Sequence, residues 1–193
     1  NGMKKSYFKE KSSSDFCFKC ISIPDEKDIT FINLARLSPE KNQRNLIKAF
    51  QKIVRNNNKC KLYILGDGPL YEDLNNLIIK LHLENNVFLV GYVANPYMFI
   101  ERCDCFILTS NYEGQGISIL EAQTLNKPVI GTNVNGIKSV IDSDSGILVE
   151  NNISSTTKGI QDYLDGNVPS KKFDYKKYNK QIITKIEKEL LTI

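Results

Sequence analysis

Histidine is almost missing from this chain, and His82 is the only one. It stands at the end of a predicted helix, where it reads as a C-terminal cap or surface residue. A Ser–His or Cys–His nucleophile pair then has no base, so Ser118 and the cysteines are poor hydrolase candidates. Long apolar runs are missing too: none approaches the roughly 20 residues of a membrane span. The Lys- and Ser-rich start lacks the apolar segment of a secretory signal. Charge of one sign is in small excess, a net +4, which gives no argument for a nucleic-acid partner and suits an anionic small ligand equally well. Cysteine is sparse and odd in number. Cys17, Cys20, Cys60, Cys103 and Cys105 are scattered through strand-like segments, which fits a reducing, cytoplasmic setting better than a disulfide framework. Cys17-x-x-Cys20 and Cys103-x-Cys105 could together make a four-thiolate zinc site. The strand-like surroundings of the second pair favour buried small hydrophobes instead.

What is present is enough for one substantial core: 193 residues with 41% hydrophobic and 25% charged side chains. Residues 1–28 read as a tag remnant, Asn1–Gly2, followed by a polar lead-in with a possible edge strand at Phe16–Ile23. Residues 29–170 form the main domain. Within it, strands at Ile29–Ala35, Lys61–Gly66, Val87–Gly91, Cys105–Thr109, Pro128–Thr132 and Gly146–Val149 alternate with helices. The helices are expected at Gln43–Arg55, Leu70–Leu81, Pro96–Arg102, Gly116–Leu125, near Gly136–Ile141 and from Ser154. This alternation implies an α/β, Rossmann-like parallel sheet covered by helices on both faces, with ligands bound beyond the carboxyl ends of the strands. Residues 171–193 carry seven lysines. Their Tyr175, Tyr178, Ile182, Ile186 and Leu190 recur at helical spacing, so the tail reads as a basic amphipathic helix. Its apolar stripe is expected to pack on protein, with contact to an anionic membrane surface as the other reading.

The most informative segment is Asn111–Lys127. Glu113 and Glu121 flank a glycine-bounded turn that opens a helix directly after the apolar run Cys105–Leu108. Free N–H groups at a helix start, reinforced by the macrodipole, allow the amides of Gly116, Ile117 and Ser118 to hold phosphate oxygens. The two glutamates would then handle hydroxyls. Arg36 and Lys41 follow the first strand on the same edge of the sheet, where two cations can clamp a diphosphate and offset charge on a leaving phosphate. Taken alone, that stretch also reads as a solvated loop with Ser38 capping the next helix. Its coincidence with the glycine turn favours phosphate.

Other motifs are weaker. Gly66-Asp-Gly68-Pro69 lacks the third glycine of a dinucleotide fingerprint, and Pro69 fits the first turn of a helix. Asp142-Ser-Asp144 resembles a metal-holding acidic pair, but acidic residues and serine between a helix and a glycine strand ordinarily make a turn.

Arg36-Leu-Ser-Pro-Glu-Lys41, Gly66-Asp-Gly-Pro69, Phe88-Leu-Val-Gly-Tyr-Val93, Glu113-Gly-Gln-Gly-Ile-Ser-Ile-Leu-Glu121-Ala and Pro128-Val-Ile-Gly-Thr132 occur in this order. With them, residues 29 to 165 resemble the carboxy-terminal, donor-binding domain of retaining glycosyltransferase family 4. The resemblance implies one half of a GT-B enzyme. Arg36 and Lys41 would hold the donor diphosphate, the backbone around Tyr92 and Val93 the base, and Glu121 the ribose hydroxyls. Glu113 would act as the catalytic residue beside the transferred sugar, and the amides of Gly116, Ile117 and Ser118 would meet phosphate and sugar. No metal or other cofactor is expected; the substrate would be a nucleoside-diphosphate sugar, UDP-linked by analogy. Ala35 stands where the family usually has glycine, and Asn135–Gly136 where two glycines are frequent. The acceptor site would lie on an absent amino-terminal half, so the chain is expected to be a fragment, inactive by itself, of a cytoplasmic enzyme at or near the membrane. Two alternatives stay open: a non-catalytic interaction module on the same fold, and a nucleotide-sugar epimerase. No acid–base pair for the latter is evident.

Overall fold

A strand buried on both faces must present apolar side chains to both, and the segments here do so residue by residue. The computed structural model describes residues 27–141, 144–167, 169 and 173–190. Its strands are β1 (Ile29–Leu34), β2 (Cys60–Leu65), β3 (Val87–Gly91), β4 (Cys105–Leu108), β5 (Val129–Thr132) and β6 (Ile147–Val149). They pair in parallel in the order β3-β2-β1-β4-β5-β6. Successive side chains alternate between two apolar layers. Phe31, Leu62, Ile64, Cys105 and Ile107 enter one layer. Ile32, Tyr63, Leu65, Phe106 and Leu108 enter the other.

The helices are α1 (Gln43–Asn56), α2 (Tyr71–Lys80), α3 (Tyr97–Arg102), α4 (Ile117–Thr124), α5 (Asn135–Lys138), α6 (Ile153–Leu164) and α7 (Tyr175–Leu190). The first layer takes Leu46, Ile47, Phe50 and Ile53 from α1, Leu74, Leu77 and Ile78 from α2, and Ile160 from α6. Phe31 meets Phe50 and Tyr163 edge-on there, at 5.6 and 5.4 Å between ring centroids. The second layer takes Ile100 from α3, Ile119 and Ala122 from α4 and Ile137 from α5, with Tyr178 of α7 packed at its margin beside Phe173. Helices therefore cover both faces of the sheet, as the alternating pattern requires.

Observed boundaries fall within a residue or two of the expected ones, apart from α5, which is shorter than the stretch assigned to it. Pro69 is a correction: it lies in the turn before α2, where Gly68 O accepts the Tyr71 N–H only three residues on, at 3.2 Å, and the first bond of α-helical spacing runs from Leu74 N–H to Leu70 O, so the helix starts at Tyr71. Ser38 does not cap α1. A short 3₁₀ turn, Pro39–Lys41, intervenes, and the Ser38 hydroxyl donates to Glu40 Oε1 at 2.6 Å. His82 is exposed in the left-handed region at φ +55° and closes α2 through its N–H on Ile79 O. Cys103 and Cys105 are buried in opposite layers. Burial pushes the Cys103 thiol up to about 12 and raises Cys105 as well, so both behave as protonated apolar groups. Cys17, Cys20, the possible edge strand at Phe16–Ile23 and Asp142 lie outside the described residues. So do the side chains of Ile182, Ile186 and Leu190; Asp144 is exposed in a turn.

Chain order reverses between β1 and β4. That is the topological switch point, where two loops leave neighbouring strand ends in opposite directions and open a crevice.

Candidate functional site

The loop after β1 is held from both sides. Ala35 and Leu37 donate their N–H groups to Leu65 O and Asp67 O, each at 3.0 Å, stitching this loop to the turn after β2. Such a close approach requires glycine opposite. Gly66 has φ +133°, and a Cβ there would sit 2.0 Å from the Ala35 carbonyl oxygen. Gly66-Asp-Gly68-Pro69 is thus a brace for the Arg36 loop rather than a phosphate cradle of its own. From the other side, Gln43 Nε2 donates to Arg36 O at 2.9 Å. Gln43 is fully buried at the head of the stripe Gln43, Leu46, Ile47, Phe50. A glutamine on that apolar stripe is the sequence signal that could have revealed it. The Arg36 side chain is exposed and forms no close ion pair with a carboxylate among the described residues.

The loop after β4 lies directly across the crevice and is fastened to the first. Asn111 N–H donates to Glu40 O at 2.7 Å, and Asn111 Nδ2 to Pro39 O at 3.0 Å. Side-chain amides extend the link: Asn42 Nδ2 donates to Asn151 Oδ1, and Asn151 Nδ2 to Asn111 Oδ1, at 2.9 and 2.6 Å. These contacts bring Lys41 Nζ to 2.7 Å from Glu113 Oε2, with the side chains only 20% and 16% exposed. Ser110 Oγ also donates to Glu113 Oε2, at 3.3 Å. A cation and a carboxylate 72 positions apart are therefore in direct contact.

Gly136 fixes the height of the Glu113 loop. A Cβ on it would lie 2.0 Å from Glu113 O and 2.7 Å from Gly114 C, so only glycine allows the start of α5 to seat against that backbone. The sequence offered a glycine inside a short helical segment, a pattern that signals close approach without naming the partner.

Gly116 follows in the left-handed region at φ +56° and starts α4. Its carbonyl accepts the N–H groups of Ile119 and Leu120. The N–H groups of Gly116, Ile117 and Ser118 have no acceptor among the described residues. Three unfilled donors at a helix start, next to Glu113, are what an anion site requires. One turn into α4, Glu121 Oε1 accepts the Tyr97 hydroxyl at 3.0 Å. Tyr92, after β3, is 79% exposed. Val93 is half-buried on the same layer as Tyr97 and α4. The structure thus joins Lys41 to Glu113 at the switch point and gathers Val93, Tyr97 and Glu121 on one side of the sheet.

Burial lifts the Glu121 carboxyl above its ordinary value of 4.5, and the Tyr97 hydrogen bond opposes part of that rise. A raised folded value means the folded chain holds this proton more tightly than the unfolded one. The resulting stabilisation is complete below about pH 4.5 and is lost as pH rises through the folded value. Glu121→Gln removes the charge and can still accept from Tyr97. Its melting temperature is expected to exceed the parent's at about pH 7–8, with the gap closing near about pH 4. An equal gap at both pH values in parallel melts would contradict this.

Among the described residues, no three His, Cys, Asp or Glu side chains converge as metal ligands, and no helix is long and apolar enough to cross a membrane.

The model of the family "Glycosyl transferases group 1" matches residues 19–182. The poly(ribitol-phosphate) alpha-N-acetylglucosaminyltransferase of Staphylococcus aureus is 31% identical over 147 residues, covering 75% of this chain and 30% of that protein. An uncharacterised glycosyltransferase of Methanocaldococcus jannaschii is 44% identical over 102 residues, 53% of this chain and 25% of its own length. A solved variant of S. aureus TarM, in complex with fondaparinux, alpha-GlcNAc-glycerol and UDP, matches with a TM-score of 0.71 at 30% identity, over 82% of this chain and 33% of that chain. The chain spans between a quarter and a third of the length of these proteins. Its parallel sheet is the Rossmann-like fold found in GT-B glycosyltransferases, and with a match running from residue 19 to residue 182 the chain belongs to the glycosyl transferases group 1 family.

Proposed function

We propose that this chain is the donor-binding half of a retaining glycosyltransferase that moves a sugar from a nucleoside-diphosphate sugar, UDP-linked, to a glycan or cell-surface polymer. The observation that carries the reading is the meeting of Lys41 and Glu113 at the switch point, 2.7 Å apart, beside the unfilled amides of Gly116, Ile117 and Ser118. Arg36 and Lys41 take the diphosphate together with those amides, Glu121 takes ribose hydroxyls, and the backbone near Tyr92 and Val93 meets the base. Glu113 then lies beside the transferred sugar. As the nucleoside diphosphate departs, charge grows on its outer phosphate. Two cations and a helix start aimed at that phosphate lower the barrier without asking a metal to do so. The acceptor hydroxyl attacks from the face the leaving group vacates and passes its proton to the departing phosphate oxygen, and the anomeric configuration is kept.

The acceptor site is assigned to an amino-terminal half outside this sequence, in keeping with the share of each relative that the chain covers. The isolated chain is then a nucleotide binder that transfers nothing. A cytoplasmic location accords with free thiols at Cys60, Cys103 and Cys105. The exposed Lys176, Lys177 and Lys180 of α7 leave room for contact with an anionic membrane surface.

Thermal-shift titration with UDP, GDP and ADP tests the reading. A ligand at one hundred times its Kd stabilises by about 2.7 kcal/mol, and one of the three is expected to produce such a shift. Glu121→Ala is expected to weaken it. No shift with any nucleotide, from a chain that still melts cooperatively, would instead favour the non-catalytic interaction module.

A further inference from the structure

We propose that Tyr97 is a positioning residue for Glu121 and, through it, sets a preference for ribonucleotides over 2′-deoxyribonucleotides in the donor. This rests on the donor-site reading above and adds a residue to it.

The observation is the 3.0 Å hydrogen bond from the Tyr97 hydroxyl to Glu121 Oε1. Tyr97 is the first residue of α3, a helix anchored by buried Met98 and Ile100. Its ring is itself half-buried against the layer that holds Ile119, Leu120 and Ala122 of α4. A phenol on two torsions, packed along its length, is a donor with little freedom to wander. Glu121 is half-buried at the foot of the α4 layer, and that burial raises its carboxyl above the ordinary value. A desolvated carboxylate needs a donor to hold it, and the donor it has fixes the plane of the group. With Oε1 engaged, Oε2 has no partner among the described residues. A carboxylate retains spare acceptor capacity on both oxygens in this state. One hydroxyl of a ribose diol can reach Oε2 and its neighbour the remaining lone pair of Oε1. Loss of the 2′-hydroxyl then leaves unfilled an acceptor that the bound nucleotide has closed off from water, which binding sites penalise. Tyr97 is also only five positions beyond Tyr92, so the segment expected to meet the base is continuous with the group that orients the ribose carboxylate.

The test titrates the chain with UDP, GDP and ADP and with the 2′-deoxy form of each, following heat release or melting temperature. Wild type, Tyr97→Phe, Glu121→Ala and the double variant are compared. Tyr97→Phe keeps the packed ring, and its melt without nucleotide reports whether the fold is intact. Wild type is expected to prefer the ribose form of its nucleotide by about tenfold or more, the size of one well-placed hydrogen bond to a charged group. Tyr97→Phe should lower affinity for the ribose form by about five- to tenfold and for the deoxy form by less than about twofold. In the Glu121→Ala background the same change should do nothing further, because the two act as a unit. Equal weakening of both forms in Tyr97→Phe, or an unaltered ratio, overturns the proposal while leaving nucleotide binding in place. A wild-type chain that responds to no nucleotide overturns the donor-site reading and this inference together.

Discussion

On the proposal that Glu113 lies beside the transferred sugar, Glu113→Gln in the full-length protein is expected to lower kcat by about 10²–10³-fold, the usual loss when one polar group facing a reacting centre is removed. Nucleotide affinity of the isolated chain should hold or rise. Both halves of this expectation come from the ion pair. Lys41 Nζ lies 2.7 Å from Glu113 Oε2, and both side chains are mostly covered. A diphosphate bound at Lys41 as proposed would share that cation with a carboxylate, and phosphate and carboxylate repel each other. Glutamine removes the repulsion and leaves the ammonium wholly to phosphate. The same change deprives the folded chain of a partly buried pair, so its melting temperature without nucleotide should fall and should be recovered by nucleotide. Steady-state kinetics with calorimetric titration distinguish the outcomes. Normal turnover by Glu113→Gln would refute its place beside the transferred sugar. A tenfold or greater loss of nucleotide affinity would show that the carboxylate mainly shapes the phosphate site.

The second large effect is expected at a residue with no chemistry of its own. In Gly136→Ala the new methyl would lie 2.0 Å from the carbonyl oxygen of Glu113, 2.6 Å from its carbonyl carbon and 2.7 Å from that of Gly114. All three are backbone atoms and cannot rotate away. Overpacking of this kind costs about 1–3 kcal/mol, and relief requires the Glu113 loop or α5 to move. A displacement of about 1 Å at a reacting group can cost about 10²-fold in rate. The variant is therefore expected to lose both stability and transfer, while Gly114→Ala, whose Cβ would meet nothing within 4 Å, should melt close to the parent. Thermal melts of the two alanine variants, with turnover in the full-length protein, give the comparison. An unchanged melt and rate in Gly136→Ala would mean that α5 does not set the position of Glu113.

Much of the fold was legible before any coordinates. β4 is four buried residues, Cys105–Leu108, and its apolar run followed by a glycine-bounded turn announced both the strand and the helix start at Gly116. The α1 stripe and the closing of α2 at His82 could be read the same way, because each is set by spacing or backbone preference within a few residues. Pro69 shows where such reasoning stops. Its ring suits a first helical turn, yet α2 begins only at Tyr71, and the segment before it gives the Leu70 N–H to Leu37 O, 33 positions back, a contact no local pattern announces. Gln43 on the Arg36 carbonyl, Gly136 under the Glu113 backbone and Tyr97 on Glu121 are of the same kind.

Residue order alone determined that apolar strands alternate with amphipathic helices and that Arg36, Lys41, Glu113 and the Gly116 amides all emerge at strand carboxyl ends, since periodicity and turn chemistry are local. Which strand lies beside which is not local. Only the packed sheet set β1 against β4, closed the crevice enough for Lys41 to touch Glu113, and pressed α3 close enough for Tyr97 to hold Glu121. Lateral order follows from how two helical layers share one sheet, and a side-chain contact between distant positions leaves no spacing in the sequence to betray it.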